Sequence, residues 1–151
     1  MNVPRQTPLT ARRMVLVADD EKAIQSIVTR VITQLGFVAL PVSDGATAII
    51  TAAAHRANLA CAILDIMMPI VNGIDAAHAI QQLAPDIGIV LMSGAIPRDC
   101  ADDIAHLRLV GMLNKPFSLK ALQELILHAA GGGTYASGNQ TPATITHPAT
   151  G

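Results

Sequence analysis

Five polar side chains stand out because each follows an apolar run. Asp19 and Asp20 close the run Met14–Ala18, Asp65 closes Ala60–Leu64, Ser93 closes Ile87–Met92, and Lys115 comes just after Val110–Leu113. Three carboxylates, a hydroxyl and an ammonium drawn to one place would form a hard, oxygen-rich site. Such a site suits Mg2+, which keeps several waters and takes few protein ligands. Crowded carboxylates repel one another and resist burial, and a divalent cation relieves that repulsion so that all three stay ionised. A carboxylate so placed could attack phosphorus if metal and lysine offset charge on the equatorial oxygens, with Ser93 donating to one of them. The product would be an aspartyl phosphate. Taken singly, the same residues have plainer readings: Asp19 and Asp20 as acids at a helix N-terminus, Ser93 as a turn residue before Gly94, Lys115 as a solvated charge.

What would bring them together is the order of elements. Met14–Ala18 is Val-rich, short and bounded by charge, which predicts a buried strand. Ile24, Ile27, Val28, Val31, Ile32 and Leu35 recur at helical spacing as one core-facing stripe, with Gly36 where a C-terminal cap belongs and Glu21 as a first-turn acid rather than a ligand. Phe37–Val42 follows as a strand, and Asp44–Arg56 as an Ala-rich helix capped by Ser43 or Asp44. The pattern then repeats: strand Ala60–Leu64, helix Ile74–Leu83, strand Ile87–Met92, helix Pro97–Leu107, strand Val110–Leu113, and helix Leu119–Ala130 capped by Ser118. Strands apolar on both faces and separated by helices predict a parallel sheet covered on both sides. In such sheets ligands bind outside the carboxyl ends of the strands, where all five polar residues fall.

Composition narrows the function. The 151 residues are 51% hydrophobic and 2% aromatic, with a net charge of -1. One domain with an aliphatic core fits, and nothing favours nucleic acid or an anionic membrane as partner. Cys61 and Cys100 are too few for a disulfide framework and lack metal spacing, as do the five histidines. After Arg12-Arg13 the apolar run is too short for an export signal. The expected location is cytoplasmic, with no membrane association. Residues 1–12 are expected to be a flexible leader, 13–130 the folded domain, and 131–151 a disordered Gly/Thr/Pro-rich tail without charge. No output domain is expected after Ala130.

Four segments, "VLVADDE", "AILDIMMP", "VLMSGA" and "LNKPF", in this order on successive strand ends, resemble the response-regulator receiver domain of two-component signalling over roughly residues 13–130. The resemblance implies a flavodoxin-like (βα)5 fold with strand order 2-1-3-4-5. It implies Asp65 as phospho-acceptor, and Mg2+ held by Asp20, Asp65 and the backbone carbonyl of Met67, with Asp19 acting through a water. Lys115 would pair with the phosphoryl group, and Ser93 would turn inward to it. Pro116 stands where the family has a cis peptide bond. A sensor histidine kinase or histidine phosphotransfer protein would dock on Ile24, Ile27 and around Pro116. A downstream protein target, and a homodimer through the last helix–strand–helix face, are further expectations.

Two departures from the family pattern matter, one at Met112 and one at the pair Met67 and Ala95. Met112 stands where the family usually has a Tyr or Phe that turns inward with the Ser/Thr, which predicts a muted switch or one built on a flexible thioether. Met67 and Ala95 flank the path of the hydrolytic water, and neither can orient it strongly, which predicts a long-lived phospho form. Two other readings of the chain stay open: a receiver-like binding module that signals without phosphorylation, and a Mg2+-dependent phosphatase with an aspartyl nucleophile. The latter family carries a second Asp two residues on, where this chain has Met67.

Overall fold

The computed structural model describes residues 12–95, 98–131 and 144–145. Its strands are β1 (Met14–Ala18), β2 (Val38–Val42), β3 (Leu59–Asp65), β4 (Gly88–Ser93), β5 (Gly111–Asn114) and β6 (Thr144–Ile145). They form one sheet of order β2-β1-β3-β4-β5-β6, and every pairing is parallel. The helices are α1 (Lys22–Gln34), α2 (Gly45–Ala54), α3 (Gly73–Leu83), α4 (Ala101–Ala105) and α5 (Leu119–Ala130). The first five strands thus take the flavodoxin-like order expected.

Side-chain alternation along each strand splits the core in two. Leu16, Ala62, Leu64, Ile89, Leu91 and Met112 point to the face covered by α2, α3 and α4. Val15, Val17, Cys61, Ile63, Val90, Met92 and Leu113 point to the face covered by α1 and α5. The central strands β3 and β4 are buried along their whole length, whereas β2, at the edge, is partly exposed and accommodates Pro41, which lacks a donor for the ladder. Local signals work as their chemistry dictates. Asp44, Asn72 and Ser118 cap their helices by accepting from the N–H groups of Thr47, Asp75 and Ala121. Gly36 follows α1 in the left-handed region, at φ 89°.

The segment expected to be a single helix from Pro97 is shorter, a 3-10 turn at Arg98–Cys100 running into α4. Arg12, expected in a flexible leader, is buried, donates to Leu59 O at 3.4 Å and pairs with Asp86 at 3.0 Å; residues 1–11 lie outside the described residues. Likewise Thr144–Ile145, within the segment expected to be disordered, pair with Met112 and Leu113. A short strand needs no hydrophobic face to add to an open edge, because backbone groups alone make the ladder. Most of the remainder of 131–151 lies outside the described residues. Ile27, expected on the core stripe, is 42% exposed. It sits at the rim of that stripe, beyond the arc filled by Val28, Val31 and Ile32.

The carboxyl edge is fixed by backbone bonds that run past the strand ends. Asp19 N–H donates to Val42 O at 3.1 Å, Ile66 N–H to Met92 O at 2.9 Å, and Lys115 N–H to Ser93 O at 2.8 Å. On the far side of Asp65, α3 begins so close that a Cβ on Gly73 would lie 2.1 Å from Asp65 O. Helix propensity alone predicts that Gly73→Ala stabilises by about 1 kcal/mol, but the close approach predicts the reverse. Gly73→Ala should lower stability by about 1–3 kcal/mol or more in urea unfolding, while Gly94→Ala, where a Cβ meets nothing within 4 Å, should change it by less than about 0.5 kcal/mol.

Candidate functional site

Burial brings the charged residues together without much water. Asp19 is fully buried and Asp65 is 3% exposed, each at the carboxyl end of an otherwise apolar strand. Buried carboxylates need donors. Asp19 Oδ1 accepts from Glu21 N–H at 2.9 Å, and its Oδ2 accepts from Lys115 Nζ at 2.9 Å. Asp65 Oδ1 accepts weakly from Met67 N–H at 3.4 Å, and its Oδ2 lies 3.3 Å from Lys115 Nζ. Lys115 reaches a third carboxylate, Glu21, at 3.4 Å. Its backbone N–H donates to Ser93 O at 2.8 Å, and the Lys115–Pro116 peptide that follows is cis.

These contacts set the proton affinities. Burial pushes the Asp65 carboxyl up to about 6, the charge of Asp19 adds to the rise, and Lys115 opposes it. For Lys115, burial alone would lower the ammonium, but the hydrogen bond to Asp19 and the charges of Asp65 and Asp19 outweigh it and hold it above its ordinary value. One ammonium therefore faces Asp19, Glu21 and Asp65, with Asp20 beside them on the wall of the same open cleft. The other lining residues are Met67, Gly94 and Ala95.

The site can be tested for a divalent cation from its donors alone. Carboxylate oxygens of Asp19, Glu21 and Asp65 lie within 4.8 Å of one another, hard donors of the kind Mg2+ takes. Charge is in surplus, since three carboxylates face one ammonium and a fourth, Asp20, lines the same cleft, so the residues fit the ion. The tight cluster differs from the expected one: it contains Glu21, expected merely to start the helix, whereas Asp20 is exposed and lines the cleft. Glu21 precedes α1 as its N-cap residue but makes no side-chain cap bond; its carboxylate turns to Lys115 instead.

The other expected residues fall as follows. Ser93 is buried, and its hydroxyl is engaged with its own loop, donating to Ala95 O at 2.6 Å and accepting from Ala95 N–H at 3.1 Å. Met67 is 61% exposed and Ala95 is exposed, both beside the cleft. Met112 is buried against the core on the α3–α4 side. Ile24 is half-buried, while Pro116 is exposed next to Lys115. One residue escaped the sequence reading altogether. Gln25 is a buried polar residue of α1, and its Nε2 donates to Val42 O at 2.8 Å, with Asp19 O and Ser43 Oγ each at 3.3 Å. The available signal was a Gln placed directly after Ile24 on a helix one turn from two acids.

Comparison with known proteins came to the same architecture. The family model described as the response regulator receiver domain matches residues 15–127. The chain is 33% identical over 112 residues to an autoinducer 1 sensor kinase/phosphatase of Vibrio campbellii, covering 74% of this chain but 13% of that protein. Among solved structures, it resembles a response regulator receiver protein from Sinorhizobium medicae, at TM-score 0.69 and 25% identity, covering 79% of this chain and 94% of that one. It also resembles the receiver domain of a sensor histidine kinase from Pseudomonas aeruginosa, solved with magnesium in its active-site cleft. There the TM-score is 0.70 at 20% identity, covering 80% of this chain and 99% of that one.

Because the folded chain holds the Asp65 proton more tightly than the unfolded chain, burying this group supports folding below about pH 4 and loses that support as pH rises through about 6. Asp65→Asn removes the loss. In the presence of a chelator the variant should exceed the unaltered protein in stability by roughly 1–3 kcal/mol near pH 7–8, and the gap should close toward pH 4. A variant less stable at pH 8 would contradict the burial cost assigned to Asp65.

Proposed function

The chain belongs to the response regulator receiver domain family, and from that premise we propose that Asp65 is its phospho-acceptor in a histidine-aspartate phosphorelay. Receiver domains in general are signalling phospho-acceptors that work with histidine kinases or phosphotransfer proteins. The observation carrying the specific assignment is the contact of Lys115 Nζ with Asp65 Oδ2 at 3.3 Å, at the buried end of β3 and open to the cleft. An Asp65 oxygen attacks the phosphorus of a partner's phosphohistidine, the P–N bond breaks, and the imidazole nitrogen keeps the electron pair. Lys115 offsets charge on the phosphoryl oxygens. Mg2+, when bound, neutralises further charge on those oxygens; Asp20, Asp65 and the Met67 carbonyl would hold it, with Asp19 acting through a water.

Ser93 and Met112 are the proposed response to phosphorylation. The Ser93 hydroxyl must give up its bond to Ala95 O to reach a phosphoryl oxygen, so the Gly94–Ala95 turn moves with it. Met112, already packed inward, follows as an adaptable thioether rather than as a swinging ring. Ile24, Ile27 and Pro116 are the proposed contact with the phospho-donor. The output is protein–protein interaction or onward transfer of phosphate. The buried Met112 favours a second reading, a binding module that signals without phosphorylation.

Labelling with acetyl phosphate separates the two. The protein should take up phosphate with Mg2+, lose labelling on chelation, and lose it in Asp65→Asn; absence of labelling in the unaltered protein would promote the binding module. Once formed, the phospho form should decay over minutes or longer, since neither Met67 nor Ala95 orients a water. Met67→Asn should shorten that lifetime in a decay assay, and decay within seconds in the unaltered protein would show that Met67 and Ala95 do not slow hydrolysis.

A further inference from the structure

Gln25 spans two strand ends with one amide. Its Nε2 donates to Val42 O at the end of β2 and reaches Ser43 Oγ and Asp19 O, the last of these just past the end of β1. The peptide that Asp19 O belongs to links Asp19 to Asp20. Asp19 is also held by Lys115 and by the Glu21 N–H, whereas the exposed Asp20 carboxylate makes no hydrogen bond to a described residue. The direction in which Asp20 points therefore depends on its backbone, and that backbone is fixed by the Asp19 N–H bond to Val42 O and by Gln25. The amide is buried, so water cannot replace it at low cost.

We infer that Gln25 is a positioning residue for the metal ligands: it locks the Asp19–Asp20 peptide to the end of β2 and so sets Asp20 for Mg2+. This rests on the proposed reading of the cleft as an Mg2+ site. It assigns a second function to α1, whose first turn then does more than cover the sheet. Outer-shell partners of this kind orient a ligand without touching the ion, and their loss costs affinity rather than chemistry.

Calorimetric titration of the full chain with MgCl2, paired with urea unfolding, tests it. Gln25→Leu should weaken Mg2+ binding by roughly tenfold, and acetyl phosphate labelling should slow in proportion at limiting Mg2+ but recover at saturating Mg2+. Val31→Ala, which removes buried volume farther along the same helix, should lose stability yet keep Mg2+ affinity within about twofold, since it touches no metal ligand. Should Gln25→Leu not fold, Gln25→Asn stands in. It keeps an amide but is too short to reach both strand ends, and should weaken binding by at least about threefold. Mg2+ affinity unchanged in the Gln25 variant, an equal loss in Val31→Ala, or labelling that stays slow at saturating Mg2+ would overturn the inference. An unaltered protein that binds no Mg2+ would instead overturn the metal reading beneath it.

Discussion

The ammonium of Lys115 lies 2.9 Å from Asp19, 3.3 Å from Asp65 and 3.4 Å from Glu21, and the rest of the carboxyl edge is organised around that contact. Without it two buried carboxylates would face each other with little to offset their repulsion. With it they stay close, but the balance is incomplete, because Asp20 adds a fourth negative group at the rim. That shortfall leaves a surplus of hard oxygen donors suited to a divalent cation, and burial, with the charge of Asp19 adding to it, holds the Asp65 proton affinity up. A site fully neutralised by its own residues would be more stable and would have less use for a ligand.

Holding such a site is a task for the backbone rather than for side-chain packing. Asp19, Ile66 and Lys115 each make one more ladder bond beyond the regular strands, so the charged groups inherit the register of the sheet. Gly73 lets α3 approach the Asp65 carbonyl, and Gln25 joins the ends of β1 and β2. The backbone of Ser93 belongs to the same frame, since it ends β4 and accepts from Lys115 N–H, whereas its hydroxyl bonds only to Ala95 in the following turn.

Much of this is legible in the sequence because it depends on local patterns. Apolar runs ending in Asp, Ser or an Asn-Lys pair mark both the strands and the edge at which they end, and Asp44, Asn72 and Ser118 announce helix starts through their own capping chemistry. Features that depend on tertiary partners are not legible in that way. Glu21 looks like a helix acid until Lys115 arrives from the far end of the chain. Gln25 looks like a surface residue until β2 supplies its acceptors. Ile27 satisfies the helical stripe, yet it lies beyond the buried arc of Val28, Val31 and Ile32 and stays 42% exposed. Thr144–Ile145 are β-branched but too short a run to announce a strand; the edge of β5 provides the template.

Among four neighbouring carboxylates, Asp65 is the one proposed to form the acyl phosphate. Borohydride reduces an acyl phosphate to the alcohol with release of phosphate and leaves free carboxylates intact. Peptide mass mapping of the acetyl phosphate-treated, borohydride-reduced chain should therefore find the reduced side chain at position 65, with Asp19, Asp20 and Glu21 unchanged. Reduction at any of those three, or an intact Asp65 in protein that had taken up phosphate, would rule out Asp65 as the acceptor.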